Sequence, residues 1–336
     1  MRVELGPHGP HLRLGRPHPP VGEHRVRIRV ELAGLCRSDL KEVARERHGP
    51  SQFGHELVGV VAESTLPEVL PVGARVGLDP NVPLARTSGF ATEMYAAGPA
   101  DRLTAALPRI PTELSDRQAV FAEPLACAEH CVAALVGHTG IPLLGRRMVV
   151  FGAGAAGLWI ARLAELAGAD VTLTNRSADR SEFLRARGFE VRPSVGLPSS
   201  AFALAVIATS FVRPEILAAA LRTLVPDGLV LLYGGTAPGD RLPDLACDLD
   251  RVRRREQAVR TTWAGRPVTV AGSYGTGRAD FAAALAVLPK LPVERLVTAE
   301  ITLAELPAVL RDQVSGRPLG KTLIRPRAAT APPHAT

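Results

Sequence analysis

Polar and apolar residues alternate with period two over Arg25-Val26-Arg27-Ile28-Arg29-Val30, the pattern of a strand with one face buried and one face wet. Leu57–Ala62 is a more continuously apolar strand, and Val72–Val76 reads as a turn entering another. The Ala-rich stretch Asp116–Leu135 predicts a helix. The first 135 or so residues are thus short strands broken by Gly and Pro. From about residue 145 the pattern changes. A buried strand, Met148–Phe151, precedes a glycine turn, a helix over Gly157–Leu166 and a strand over Val171–Thr174. The theme returns as strand Leu204–Ala208, helix Pro214–Leu224, turn Pro226-Asp227-Gly228 and strand Leu229–Tyr233. Strands alternating with helices predict a parallel, doubly wound sheet. Beyond Gly272 follow a helix, Ala279–Leu288, and strands near Leu296–Ile301 and Thr322–Ile324. The Ala/Pro/Thr-rich tail from Ala328 predicts no packed structure.

A chain of 336 residues can hold two domains with their own cores. Hydrophobic residues at 46% and charged residues at 22% are ordinary for a globular protein. No apolar run reaches the roughly 18 residues of a membrane span, and no apolar signal core follows Met1. The cysteines Cys36, Cys127, Cys131 and Cys247 are scattered, not framed as disulfides. The expectation is a reduced, cytoplasmic protein. A net charge of +7 raises the question of nucleic acid. The basic residues are nearly all arginine, with lysine only at 41, 290 and 321, and they are interleaved with acids. Aromatics are 4%, too few for stacking platforms, so neither nucleic acid nor membrane is an expected partner. The one basic run, Arg251-Val252-Arg253-Arg254-Arg255, reads as a solvated helix face. His8, His11, His18 and His24 lie among Pro and Gly and read as surface loop residues.

Gly152-Ala153-Gly154-Ala155-Ala156-Gly157 follows a predicted strand and opens a predicted helix. In that setting the glycines allow the tight turn, the approach of backbone to a pyrophosphate, and close helix–strand packing; the helix N-terminus holds the phosphate charge. The end of the next strand is where an acid binds the adenosine ribose hydroxyls in NAD sites. Here Asn175 and Arg176 stand there. A neutral amide does not repel a 2′-phosphate and a guanidinium pairs with it, so NADP(H) is preferred to NAD(H), with Ser177 and Arg180 as further contacts.

Three segments of the first half carry chemistry: Gly34-Leu35-Cys36-Arg37-Ser38-Asp39, then Gly54-His55-Glu56, then Ala122-Glu123-Pro124-Leu125-Ala126-Cys127. In this order, ahead of the glycine turn and with Ala271-Gly272-Ser273-Tyr274-Gly275 and Gly320-Lys321-Thr322 behind it, they resemble the medium-chain dehydrogenase/reductase family, nearest its polyol and sugar dehydrogenases. The resemblance runs over about residues 20 to 326. It implies an α/β chain with a GroES-like, mostly-β catalytic domain (1–137 and 273–336) and a Rossmann cofactor domain (138–272). It implies one catalytic zinc on Cys36, His55 and a glutamate, either Glu56 or Glu123. Ser38 is then the proton relay, and Thr209, Ser273 and Lys321 join the glycine turn in binding cofactor. Arg37, like Lys321, matches a pyrophosphate-contacting position. A mixed S/N/O set with an open position suits catalytic zinc.

The chain departs from the family twice. Gly77–Phe90, where many members carry a four-cysteine zinc lobe, is short and cysteine-free, so no structural zinc is expected. Lys41 replaces a histidine that relays protons in some alcohol dehydrogenases. The activity implied is hydride transfer between NADP(H) and a secondary alcohol or ketone of a sugar, cyclitol or aminocyclitol, with antibiotic biosynthesis as one setting and a homodimer or homotetramer as the assembly. The competing readings are a zinc-independent quinone or enoyl reductase of the same fold and a non-catalytic NADP(H)-binding sensor.

Overall fold

The computed structural model describes residues 1–46, 51–316 and 318–327; the tail from Ala328 lies outside the described residues. In chain order the strands are β1 (Arg2–Gly6), β2 (Gly9–Arg13), β3 (His24–Gly34), β4 (Glu56–Ser64), β5 (Arg75–Val76), β6 (Ala85–Arg86), β7 (Glu93–Gly98), β8 (Arg147–Phe151), β9 (Asp170–Asn175), β10 (Arg192–Pro193), β11 (Phe202–Ile207), β12 (Leu224–Leu232), β13 (Ala258–Trp263), β14 (Arg266–Gly272), β15 (Val297–Thr302) and β16 (Lys321–Arg325). The helices are α1 (Arg37–Val43), α2 (Ala100–Ala106), α3 (Asp116–Ala119), α4 (Ala122–Thr139), α5 (Ala155–Leu166), α6 (Ala178–Arg185), α7 (Pro214–Thr223), α8 (Leu249–Arg254), α9 (Arg278–Val287) and α10 (Leu306–Ser315). Among the described residues no helix is long and apolar enough to cross a membrane.

One compact unit comprises Met1–Glu123 and Phe281–Thr336. Its sheet runs β15-β16-β3-β4-β5, with β7 also paired to β3 and β6 to β7. The alternation read in β3 sorts its residues as expected: Val26, Ile28 and Val30 are buried, while Arg27 turns outward to Glu63 and Glu93. The buried face meets Leu57, Val61, Phe90, Met94 and Ile324. Each such side chain stabilises by roughly 1.5–3 kcal/mol on burial. Phe53 and Phe90 meet edge to face at 4.9 Å, just beneath the loop that carries His55.

The other unit is Pro124–Asp280. Its sheet order is β10-β9-β8-β11-β12-β14-β13, parallel except for β13. Met148–Phe151, Leu204–Ile207 and Leu229–Leu232 are buried throughout, as parallel strands covered on both faces must be. The strand order reverses between β8 and β11, and the crevice at such a switch point is where doubly wound sheets bind ligands. The glycine turn after β8 and Thr209 after β11 therefore share that crevice, and a side chain on Gly152 would press on Thr209 at 3.0 Å.

Several expectations are corrected. The compact units divide at 123/124 and 280/281, where 137/138 and 272/273 were expected; both divisions fall in continuous helices, α4 and α9. The single helix expected over 116–135 is two, α3 and α4. Proline is accepted in a first turn but not deeper, so the helix restarts at Ala122 to keep Pro124 near its start. His11 lies in strand β2 and His24 begins β3, not in loops. Strand β13 was not foreseen. Its turn into β14, Ala264-Gly265, has both φ positive (48° and 73°), as a two-residue type I′ hairpin requires. The basic run does lie on helix α8, but Arg253 is not solvated: its Nε donates to the Tyr233 carbonyl at 3.1 Å and its guanidinium stacks on Tyr274.

Candidate metal centre and cofactor turn

Two loops of the first unit are tied together by one buried carboxylate. Asp39 Oδ2 accepts the Cys36 N–H at 2.8 Å, and Oδ1 accepts the Gly54 N–H at 2.9 Å. Cys36 caps α1 and Asp39 closes the capping box, so the helix start itself fixes the thiol's loop. Gly54 sits at φ 65°, and a side chain there would strike the Phe90 backbone nitrogen at 2.6 Å. That close turn aims His55 inward. His55 Nδ1 lies 2.8 Å from the Gln52 carbonyl, which only an Nδ1–H can satisfy, so Nε2 is the nitrogen open to a metal. Glu56 opens β4 directly opposite Gly34, where a Cβ would meet the Glu56 carboxylate at 2.6 Å.

The ligand atoms of Cys36, His55 and Glu56 lie within 4.8 Å of one another. Glu123, in the first turn of α4, brings Oε2 to 3.9 Å from His55 Nε2. Lys321, buried at the start of β16, donates to Glu56 Oε2. Burial opposes charge on His55, yet Glu123, Cys36 and Asp39 hold its pKa well above the usual imidazole range. Burial likewise opposes the Lys321 charge, and Glu56, with Cys36 and Asp39, overcomes it. Cys36, Asp39, Glu56 and Glu123 can each carry a negative charge, against two cations, Lys321 and the His55 imidazolium. A dication relieves that surplus, and the S/N/O donors are those zinc accepts. Ser38, on the first turn of α1, keeps a buried Oγ with no hydrogen-bond partner among the described residues.

In the second unit, Gly152 (φ 106°) turns the chain out of β8 and Gly154 caps α5. Nothing lies within 4 Å of where a Gly154 side chain would be, so the helix N-terminus is open to a ligand. A Cβ on Gly157 would run into the Gly152 carbonyl, which is the close packing the third glycine provides. Asn175 is partly committed to the turn: Oδ1 accepts the Ala153 N–H at 3.2 Å and Nδ2 donates to the Ser177 carbonyl at 3.1 Å. Arg176 is exposed, without an ion pair among the described residues. Ser177 caps α6 by accepting the Arg180 N–H.

The alcohol dehydrogenase GroES-like domain model matches residues 22–135. The sorbitol dehydrogenase of Halalkalibacterium halodurans is 26% identical over 93% of this chain and 94% of its own. The chain is thus similar over residues 22–135 to the GroES-like domain of alcohol dehydrogenases, and over most of its length to a sorbitol dehydrogenase. The D-xylulose reductase of Saccharomyces cerevisiae is 27% identical over 49% of this chain and 52% of its own. Alcohol dehydrogenase TADH from Thermus sp. ATN1 shares the fold of this chain, with a TM-score of 0.74 at 19% identity over 97% of this chain and 100% of that one. So does Haloferax mediterranei glucose dehydrogenase, solved with NADP, Zn and gluconolactone, with a TM-score of 0.69 at 18% identity over 97% and 99%.

The fold brings Cys36, His55, Glu56 and Glu123 together, with Ser38 two residues after Cys36 in the first turn of α1. Lys321, expected at the cofactor, has its ammonium on Glu56. Thr209 donates to the Phe211 carbonyl at 2.7 Å, and Ser273 is buried behind β14 beside Cys131. Sequence reasoning missed Asp39 and Gln52. Asp39 had a signal, the acidic third residue of a helix that begins at a loop cysteine; Gln52 acts through its backbone and had none.

Proposed function

We propose that this protein is a medium-chain dehydrogenase/reductase with one catalytic zinc that interconverts a secondary alcohol and a ketone on a polyhydroxylated substrate, using NADP(H). The observation that carries this is the buried cluster of Cys36, His55 and Glu56 with Glu123 beside it. Zinc supplies a Lewis acid for the alcohol or carbonyl oxygen, and the nicotinamide supplies or takes the hydride. Cys36 and His55 would hold the metal, His55 through Nε2, with Glu56 or Glu123 as the oxygen donor. Asp39 keeps the two ligand loops in register. The free Ser38 hydroxyl takes the proton from the alcohol, or returns it to the reduced oxygen. Lys321 donates to Glu56 and fixes the position of its carboxylate.

NADP(H) is supported by the neutral Asn175 and by Arg176, whose exposed fork is free to take a 2′-phosphate. The cysteine-free Gly77–Phe90 segment supports a single zinc per chain. A polyhydroxylated substrate is supported by the names of similar proteins, a sorbitol and a glucose dehydrogenase. A sugar, cyclitol or aminocyclitol fits, and antibiotic biosynthesis is one setting for the last two. Metal analysis together with a substrate panel followed by NADPH absorbance tests the reading. One zinc and turnover on such an alcohol or ketone supports it. Turnover of quinones or enoyl substrates by metal-free enzyme replaces it, as does NADP(H) binding with no turnover on any substrate.

A further inference from the structure

His130, in the middle of α4, stands between two carboxylates that the activity does not use. Nδ1 is 2.8 Å from Asp280 Oδ2, and Nε2 is 2.6 Å from Glu256 Oε1. Each carboxylate also grips backbone: Glu256 accepts the Tyr274 N–H at 2.8 Å and Asp280 accepts the Gly277 N–H at 2.7 Å. Tyr274 and Gly277 are the two ends of the segment that follows Ser273 out of β14. The next residue on the helix, Cys131, shares a hydrogen bond with Ser273. Arg253 and Arg254 stack on Tyr274 from the other side. One histidine thus ties both ends of a four-residue segment to one helix.

That segment leaves the C-terminal end of a parallel strand, the side on which doubly wound sheets bind ligands. The glycine turn and Asn175 follow β8 and β9, which gives the adenosine half of a dinucleotide to that side of the switch point. The half built from β11, β12 and β14 is left for the nicotinamide.

We propose that His130, as an imidazolium bridging Glu256 and Asp280, is a positioning residue for the cofactor, holding Tyr274–Gly277 in the shape that receives the nicotinamide half. This rests on the NADP(H) reading above. A neutral imidazole has one donor and one acceptor, and its bare nitrogen would face a carboxylate oxygen; both contacts are favourable only when both nitrogens carry protons. Burial works against that charge, but Glu256 and Asp280 overcome it and raise the pKa. The other titratable groups around the ring are Glu129, pushed up by burial and by Asp280, and Cys131, pushed up by burial and Glu256. Arg253, Arg254 and Tyr274 lie beyond the two carboxylates. With a pKa raised above the unfolded value of about 6.5, the tie is fully present below that pH and is lost as pH rises through the raised value.

The test compares NADP⁺ dissociation constants of the full-length protein and His130→Gln across pH. The ratio between the two proteins cancels titration of the nucleotide itself. The variant should bind about tenfold more weakly at pH 6.5, with the ratio falling toward one as pH rises through the raised His130 pKa and the unmodified protein also loses the charge. His130→Lys, whose charge persists to about pH 10, should bind tightly and keep its affinity to pH 9.5. Hydrogen exchange of the Tyr274 and Gly277 amides should follow the same course. A ratio of one at pH 6.5, or a ratio that does not change with pH, overturns the proposal while leaving the cofactor reading in place. If no protein in the series binds NADP⁺ at any pH, the cofactor reading itself fails and the proposal falls with it.

Discussion

A buried and a half-buried histidine in this protein are set to opposite tasks by what faces each ring nitrogen. His55 gives Nδ1–H to a backbone carbonyl, so Nε2, which faces Glu123 and Cys36, is the nitrogen whose proton a metal can displace. His130 has a carboxylate on each nitrogen, so neither lone pair is available and the ring is a charge instead. Both have raised pKa values, and in both burial is the opposing cause. A raised pKa therefore does not separate a metal ligand from an ionic staple. The hydrogen-bond partner of the second nitrogen does.

The sharpest way to break the comparison is to remove a ligand from the His55 side. Cys36→Ala should empty the zinc site and bring activity to background while circular dichroism shows the fold intact, since Asp39 still ties the loop through backbone N–H groups. Retained zinc, measured by mass spectrometry, would mean that the cluster is not the metal site. Next in size is Ser38→Ala. Losing a positioned proton-transfer group costs about 10²–10⁴-fold in turnover. The loss should appear in kcat and not in cofactor affinity, and an unchanged kcat with chemistry rate-limiting would place the relay elsewhere.

Lys321→Ala sharpens the electrostatic half of the comparison. Removing one member of a buried ion pair typically costs about 3–5 kcal/mol, because the other charge is left unpaired. Zinc can take over as the counter-charge of Glu56, so the drop in melting temperature should be larger in chelator than in added zinc. Equal drops would show that the metal and Glu56 do not interact. The smallest effect is expected at the cofactor rim. Arg176→Ala should cost NADPH about tenfold in dissociation constant and leave NADH unchanged, since a charge-assisted hydrogen bond of roughly 1.5–3 kcal/mol is trimmed by solvent at an exposed residue. Equal loss for both nucleotides would mean that Arg176 serves the diphosphate and not the 2′-phosphate.

The sequence alone determined the alternation of strand and helix after residue 145, the glycine turn and the buried face of β3, because each is local: a period, a spacing, a backbone conformation. It also singled out Cys36, His55, Glu56 and Glu123 as ligand-type residues, unusual in their order and company. Only the tertiary structure decided what each of them touches. Lys321 was legible as a cation near a functional segment, yet its partner Glu56 lies 265 residues earlier and is reached through the pairing of β16 and β4 with β3. Asp39 was legible as a helix-start acid, but not as the tie to Gly54. Arg253 looked like one of a solvated run until the fold laid Tyr274 over it. His130 offered no pattern at all, because Glu256 and Asp280 come to it from 126 and 150 residues away. Burial, ion pairing and the choice of which nitrogen stays free are set by neighbours in space, and no window along the chain contains them.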